Sequence, residues 1–265
     1  MATRFDESSV AAATGVVLAA GMGSRLAGGR DETGLKPLTA VAGRSLMLRT
    51  LGSLEIAGCT RVVIVLGYGG SDVRKAIESH YSGHLELFFV ENPLYKLSNG
   101  LSVLSAAPYV GKRFLLTMAD HIYGDEVMLL ARGHIPPAYG ATLLVDSKLD
   151  DIFDMDDAMK VRAHEGRVLD IGKQLTDFNC VDTGLFVCTP GLIQAIREEY
   201  EERGDASLSD GVARLASSGS MTLLDIGPGY WQDVDTPEML REAEKHLNRV
   251  KPESAIRVSE RSNNE

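Results

Sequence analysis

The sequence predicts an open, doubly wound α/β sheet in a single domain, and three observations carry that prediction. Short apolar, β-branched runs alternate with segments of helical periodicity. Three of the runs are apolar nearly throughout, as strands covered on both faces are. The first run, VVLAA at 16–20, stops at a glycine-rich bend, the usual ending of a first strand that meets a ligand.

The elements follow in order. Strands are expected at 16–20, 61–67, 85–91, 113–120 and 141–146, with helices between them at 45–58, 71–81, 99–107 and 125–133. Ser71-Asp72 and Asp125 are suited to helix N-caps, and Gly58 and Gly133 to helix ends. Strand–helix–strand repetition implies right-handed crossovers. Beyond about residue 146 the rhythm changes. Short, antiparallel strands are expected at 160–162, 168–171 and 181–187, then helices at 190–203 and 209–217, a strand at 221–226 and a helix from Pro237 to Val250. No Pro/Ser-rich linker divides the chain, so residues 14–250 read as one domain flanked by polar tails at 1–13 and 251–265.

Composition narrows the partners. The 265 residues are 44% hydrophobic and 24% charged, with a net charge of −10. An acidic chain repels nucleic acid and anionic lipid, so any phosphate ligand must be held by a few local cations. Cys59, Cys180 and Cys188 are odd in number and lack metal-ligand spacing, which reads as reduced core thiols in a cytoplasmic protein. No apolar run reaches the roughly 18 residues of a membrane span, and the N-terminus is acidic where a signal peptide is basic and then apolar. Oligomeric state is left open.

The bend reads VVLAAGMGSRL, and GLKPL follows at 34–38. Backbone N–H groups at such a bend suit phosphate, glycines allow close approach, and Arg25 and Lys36 add charge-assisted bonds. A tight turn with two surface cations is the plainer alternative. Two familiar phosphate motifs fail. A dinucleotide fingerprint needs a third glycine where Leu26 stands, and a P-loop needs lysine where Leu35 stands.

LAAGMGSRL followed by GLKPL resembles the signature of the sugar-1-phosphate nucleotidyltransferase family. MAD at 118–120, DTG at 182–184 and WQDVDTPEML at 231–240 continue the resemblance at matching intervals. It covers roughly residues 14–248 and implies a glycosyltransferase-A-like (Rossmann-like) fold with a mixed, mostly parallel sheet. Within the family, ENPLYKLSNGLSVL, LLVDSKLDDIFDMDDAMKV, DIGKQL, VDTGLFVCTP and SLSDGV are most similar to the inositol-1-phosphate cytidylyltransferases. Some of these stretches are also similar to phosphocholine and aminoethylphosphonate cytidylyltransferases. The implied reaction transfers CMP from CTP to a phosphorylated alcohol, most similar to inositol 1-phosphate, giving CDP-inositol and pyrophosphate. The product would pass to a separate membrane phosphotransferase.

The resemblance also assigns residues. Leu18, Ala19, Ala20, Gly21, Gly23, Ser24, Arg25, Lys36 and Ala119 would bind the nucleotide, with Asn99, Gly100 and Ser102 framing the base and Gly67 letting it approach. Arg25, Lys36 and Asp120 would be catalytic. Mg²⁺ would be held by Asp120 and Asp235, with Asp233 in reserve, since alternation puts Asp233 and Asp235 on one face. Lys173 would meet the acceptor's phosphate, and Asp182 and Thr183 its hydroxyls. Each has a plainer reading: Asp233 and Asp235 as helix-cap residues before Pro237, Asn99 as an N-cap, Lys173 as a solvated lysine.

Other features are set aside. The acids at 150, 151, 154, 156 and 157 lack calcium-loop spacing and read as a solvated loop. His121 follows Asp120, and strand alternation turns its side chain the other way. Ser24 has no evident His/Asp partners. Two alternatives stay open: another triphosphate or acceptor, such as UTP with a hexose phosphate, and a non-catalytic nucleotide sensor on the same fold.

Overall fold

The computed structural model describes residues 13–23 and 34–249. The expected tails at 1–13 and 251–265, apart from Ala13, lie outside these residues, as do Ser24, Arg25 and Val250.

The first half runs β1 (Ala13–Ala19), β2 (Ala40–Val41), β3 (Arg44–Ser45), α1 (Leu46–Ile56), β4 (Cys59–Leu66), α2 (Gly70–His80), β5 (Glu86–Glu91), α3 (Gly100–Ala106), β6 (Phe114–Met118), β7 (His121–Tyr123), α4 (Asp125–Gly133) and β8 (Ala141–Asp146). The second half adds β9 (Lys160–His164), β10 (Arg167–Gly172), β11 (Cys180–Cys188), α5 (Pro190–Arg203), α6 (Leu208–Ser217), β12 (Met221–Asp225), β13 (Trp231–Asp233) and α7 (Pro237–Arg249). The caps differ from expectation in detail. Gly69 and Gly124 occupy the N-cap positions of α2 and α4, so Asp72 and Asp125 sit in the first turns instead. Acids there still complement the helix dipole.

The main sheet has the order β5-β4-β1-β6-β11-β8-β12-β10-β9. Its β5–β4–β1–β6 side is parallel throughout. Parallel pairing recurs between β8 and β12, but the other described pairings of the sheet depart from the mostly parallel arrangement expected. β11 enters antiparallel to both β6 and β8, and β10 is antiparallel to β9 and β12. A further β11–β9 pairing closes β11, β8, β12, β10 and β9 into a five-stranded ring. The cause is local. β9 and β10 are joined by two residues, Glu165 and Gly166, with φ of 47° and 73°. Positive φ at both positions is the tight hairpin geometry that forces antiparallel pairing.

Both faces of the sheet are covered. Along β1, Val16 and Leu18 pack on the side of α3, α5 and α6 with Leu101, Leu192, Ile196 and Val212. Val17 and Ala19 face the other layer, with Met47, Leu51 and Leu54 of α1, Val73 and Ile77 of α2, and Val127 and Met128 of α4. This explains why the β1 and β4 runs are apolar without alternation. A third, smaller cluster joins Val41, Leu46, Ile122, Val234, Leu240 and Ala243. It fastens β7, β13 and the start of α7 beneath the carboxyl edge of the parallel strands. Cys59, Cys180 and Cys188 are buried and unbridged.

Candidate active site

The carboxyl edge of β1 is built by three local devices. Gly23 has φ +61°, and a methyl group added to it would lie 2.6 Å from Lys36 Cβ. Glycine is therefore required for the bend to close onto Lys36, which opens a 3₁₀ turn at Lys36–Leu38. The Ala119 N–H donates to the Leu18 carbonyl at 3.1 Å, setting the 119–120 turn beside the end of β1. The Val234 N–H donates to the Asp120 carbonyl at 2.9 Å, bringing the chain after β13 to the same point.

These devices converge three side chains. The Lys36 ammonium donates to Asp120 Oδ2 and to Asp235 Oδ1. All three are largely buried, with side-chain exposures of 9% for Lys36, 26% for Asp120 and 14% for Asp235. Burial alone would lower the lysine's pKa, but the attraction of Asp120 and then Asp235 outweighs it and raises the value. Burial likewise opposes ionisation of Asp120, yet Lys36 and then His121 hold its carboxyl well below the usual carboxylate range. Lys36, Asp120 and Asp235 border a cavity of about 320 Å³ whose lining includes Leu18, Ala19, Gly21, Met22, Gly23 and Ala119. Among the described lining residues Lys36 is the only cation.

His121 belongs to this centre, contrary to the alternation argument. Its Nδ1 lies 2.6 Å from Asp120 Oδ1. β6 ends at Met118 and residues 119 and 120 form a turn, so strand alternation does not carry through to His121. The imidazole lies near the rings of Tyr123 and Trp231, each with its centroid at 6.1 Å. Its cross-strand partner is Asp233, whose carboxyl is pushed up by burial. Asp233 Oδ1 accepts from Gln232 Nε2 at 3.1 Å rather than from Lys36. Of the two acids in Asp233-Val234-Asp235, Asp235 is the one brought to Asp120.

Other sequence-selected residues are engaged by the protein itself. A methyl group on Gly67 would lie 2.6 Å from the Ala20 carbonyl, so the backbone of the first bend is what approaches it. Asn99 Oδ1 accepts from the Leu208 N–H at 2.9 Å, and Gly100 lets the Ala206 carbonyl pass, where a methyl group would lie 2.4 Å away. Ser102 is buried and accepts from Asn92 Nδ2 at 3.0 Å. These three therefore dock α3 to its neighbours, a use of their side chains and Cα positions that competes with framing a base. Thr183 is fully buried and donates to the Leu144 carbonyl at 2.8 Å, which removes its hydroxyl from any acceptor. Asp182 Oδ1 accepts from the Gly184 N–H at 2.6 Å, and burial raises its carboxyl pKa to about 6. Lys173, in the turn after β10, pairs with Asp157 and does not border the cavity beside Lys36.

A second cavity, of about 330 Å³, opens beyond Trp231 and Asp233. Phe153, Tyr230, Trp231 and His246 give it aromatic faces, and Asp151, Asp154 and Glu242 give it carboxylates. The acidic run at 150–157 thus lines a cavity and pairs with Lys173, and is not merely solvated. Lys148 is clamped there by Asp146 Oδ1 at 2.8 Å and the Gly227 carbonyl at 2.7 Å. Asp146 also accepts from Trp231 Nε1 at 2.9 Å, which holds the indole in place.

Residues 15–142, from β1 into β8, match the MobA-like NTP transferase domain family. Over 86% of its length the chain is 35% identical to the bifunctional IPC transferase and DIPP synthase of Rubrobacter xylanophilus, covering 50% of that protein. Residues 15–142 thus carry a MobA-like NTP transferase domain. The protein of the same name from Aquifex aeolicus is 32% identical, over 88% of this chain and 51% of its own length. The chain thus spans about half the length of these curated relatives. Among solved structures, the inositol-1-phosphate CTP transferase from T. maritima superposes with a TM-score of 0.76 at 26% identity, covering 88% of this chain and 97% of that one. Among the described residues no helix is long and apolar enough to cross a membrane.

Proposed function

We propose that the chain transfers CMP from CTP to inositol 1-phosphate, releasing pyrophosphate and forming CDP-inositol. The observation that carries this reading is the meeting of Lys36, Asp120 and Asp235 beside the Gly21–Gly23 bend. The relatives named for IPC transferase and the superposed CTP transferase support the choice of base and acceptor.

The chemistry asks for charge management. A phosphate oxygen of the acceptor attacks the α-phosphorus of CTP, and the bond to the bridging oxygen breaks as pyrophosphate leaves. Two polyanions meet, so the site works by positioning and electrostatic stabilisation. Lys36 supplies a preorganised ammonium, and the bend supplies backbone N–H groups to the triphosphate. Arg25 is assigned to the outer phosphates.

The donor set fits Mg²⁺. Asp120 Oδ2 and Asp235 Oδ1 already share one cation, the Lys36 ammonium. Two convergent carboxylates completed by phosphate oxygens and water are the usual Mg²⁺ arrangement. Bound there, the ion would neutralise charge on the α-phosphate. Asp233 faces His121 and Gln232, so Asp235 is assigned as the second ligand.

A second reading, phosphocholine as acceptor, is favoured by one observation: Tyr230, Trp231 and Phe153 share a cavity with Asp154 and Glu242. Aromatic faces and carboxylates suit a quaternary ammonium, but the same carboxylates also accept from polyol hydroxyls. Pyrophosphate release with CTP or UTP, against inositol 1-phosphate, phosphocholine and glucose 1-phosphate, separates the readings. The proposed function predicts the fastest release for CTP with inositol 1-phosphate.

A further inference from the structure

The two oxygens of Asp120 are used differently. Oδ2 accepts from Lys36, and Oδ1 lies 2.6 Å from His121 Nδ1. The imidazole that makes the second contact is itself held on several sides. Tyr123 and Trp231 lie near-parallel to it, at interplanar angles of 26° and 18°. Its Nε2 edge lies over Gly184, where φ is +75° and an added methyl group would come within 2.5 Å. β7 pairs with β13 through His121 and Asp233, so the strand that carries Asp235 toward the site is in register with the histidine.

We propose that His121 is a positioning residue for the cation site: by occupying Asp120 Oδ1 it fixes the carboxylate's rotation and reserves Oδ2 for the shared cation. This rests on the reading of Asp120 and Asp235 as cation ligands. A carboxylate free to rotate presents either oxygen and pays an ordering cost at each binding event. One pinned through Oδ1 presents Oδ2 at a set angle toward Asp235 Oδ1. Partners of this kind behind a ligand typically contribute 10–100-fold in metal affinity. Gly184 has a role in the same arrangement, since only glycine leaves room for the imidazole at that distance.

The test is Mn²⁺ binding to the full chain, read from the EPR signal of the free ion with and without CTP. His121→Phe keeps a ring beside Tyr123 and Trp231 and removes the nitrogen, so it should raise the Mn²⁺ dissociation constant about tenfold or more. His121→Asn places an amide nitrogen near the Nδ1 position and should recover most of that loss. Affinity for CTP without metal should stay unchanged in both. Wild-type Mn²⁺ affinity in His121→Phe would overturn the inference, as would equal losses in the Phe and Asn variants. If the Phe variant does not fold, His121→Asn and His121→Gln replace the pair. The longer Gln side chain should bind Mn²⁺ about tenfold more weakly than Asn, and equal binding would overturn the inference. Asp120→Asn separates cation ligation from the positioning role of His121. If it binds Mn²⁺ normally, the cation reading itself fails; if it loses Mn²⁺ while His121→Phe keeps it, only the positioning role fails.

Discussion

Lys36 and Asp235 lie 199 positions apart in the chain and are joined by an ion pair at the carboxyl edge of β1. The same ammonium holds Asp120, so one lysine offsets the repulsion between two carboxylates. Ligand-free, Lys36 does the work assigned to a divalent cation when substrates are bound.

Lys36→Ala should therefore destabilise the protein most when no divalent cation is present, by about 1–3 kcal/mol, the cost of leaving charged, partly buried groups without their partner. Mg²⁺ should restore part of the loss. The measurement is the thermal midpoint with and without Mg²⁺: the variant should gain more from the ion than the wild type does. Equal gains would show that the carboxylates do not share one cation site.

Asp120→Asn and Asp235→Asn should each reduce turnover by on the order of a hundredfold or more, because a preorganised charge is lost from the reacting centre. Asp233→Asn should cost far less, since Asp233 bonds Gln232 and pairs across strands with His121. Steady-state pyrophosphate release with unchanged thermal midpoints checks the ranking. A larger loss for Asp233→Asn than for Asp235→Asn would exchange their roles.

Gly23→Ala places a methyl group against Lys36 Cβ at a left-handed backbone position. The conformational penalty alone is about 1–2 kcal/mol. A lowered thermal midpoint together with weaker triphosphate binding is expected, because the bend and the lysine move together. A variant with normal triphosphate affinity would detach Gly23 from the phosphate site.

Asp182 supplies a pH prediction. Burial raises its carboxyl pKa to about 6 in the folded chain, against an ordinary 3.8. The folded state thus keeps a proton that the unfolded chain has already released, so stability falls as pH rises from about 4 to 6 and then levels off. Asp182→Asn, which keeps an oxygen for the Gly184 N–H, should remove this dependence. It should be more stable than wild type at pH 8 by on the order of 1–3 kcal/mol, and should lose that advantage near pH 4. Denaturant unfolding at the two pH values, without divalent cation, gives the comparison; an equal difference at both would contradict it.

Much of this architecture is legible in the sequence where one rule dominates. The parallel strands announce themselves because burial on both faces leaves unbroken apolar runs, as in VVLAA. Lys36, Asp120 and Asp235 stand out through their motifs, although 199 positions separate the first from the last. The five-stranded ring does not stand out, because its closure depends on the pairing of Cys180 and Val181 with β9, which leaves no local mark. His121 was concealed by a turn of two residues, which breaks the alternation used to place it. Thr183 shows the opposite failure: the motif marks the position, but its hydroxyl is committed to the Leu144 carbonyl. Asn99, Gly100 and Ser102 are a similar case, since close packing of α3 selects the same small and polar residues as a base pocket would.

The most direct test of the central claim is the initial rate of pyrophosphate release from CTP with inositol 1-phosphate and Mg²⁺, set beside the same assay with phosphocholine, with glucose 1-phosphate, and with UTP in place of CTP. The highest rate is expected for CTP with inositol 1-phosphate, with loss of that rate in Asp120→Asn and CDP-inositol as the product identified by mass. Faster release with phosphocholine would overturn the inositol assignment and leave the cytidylyltransferase reading standing. Faster release from UTP with glucose 1-phosphate, or no release with any pair, would contradict the proposed function itself.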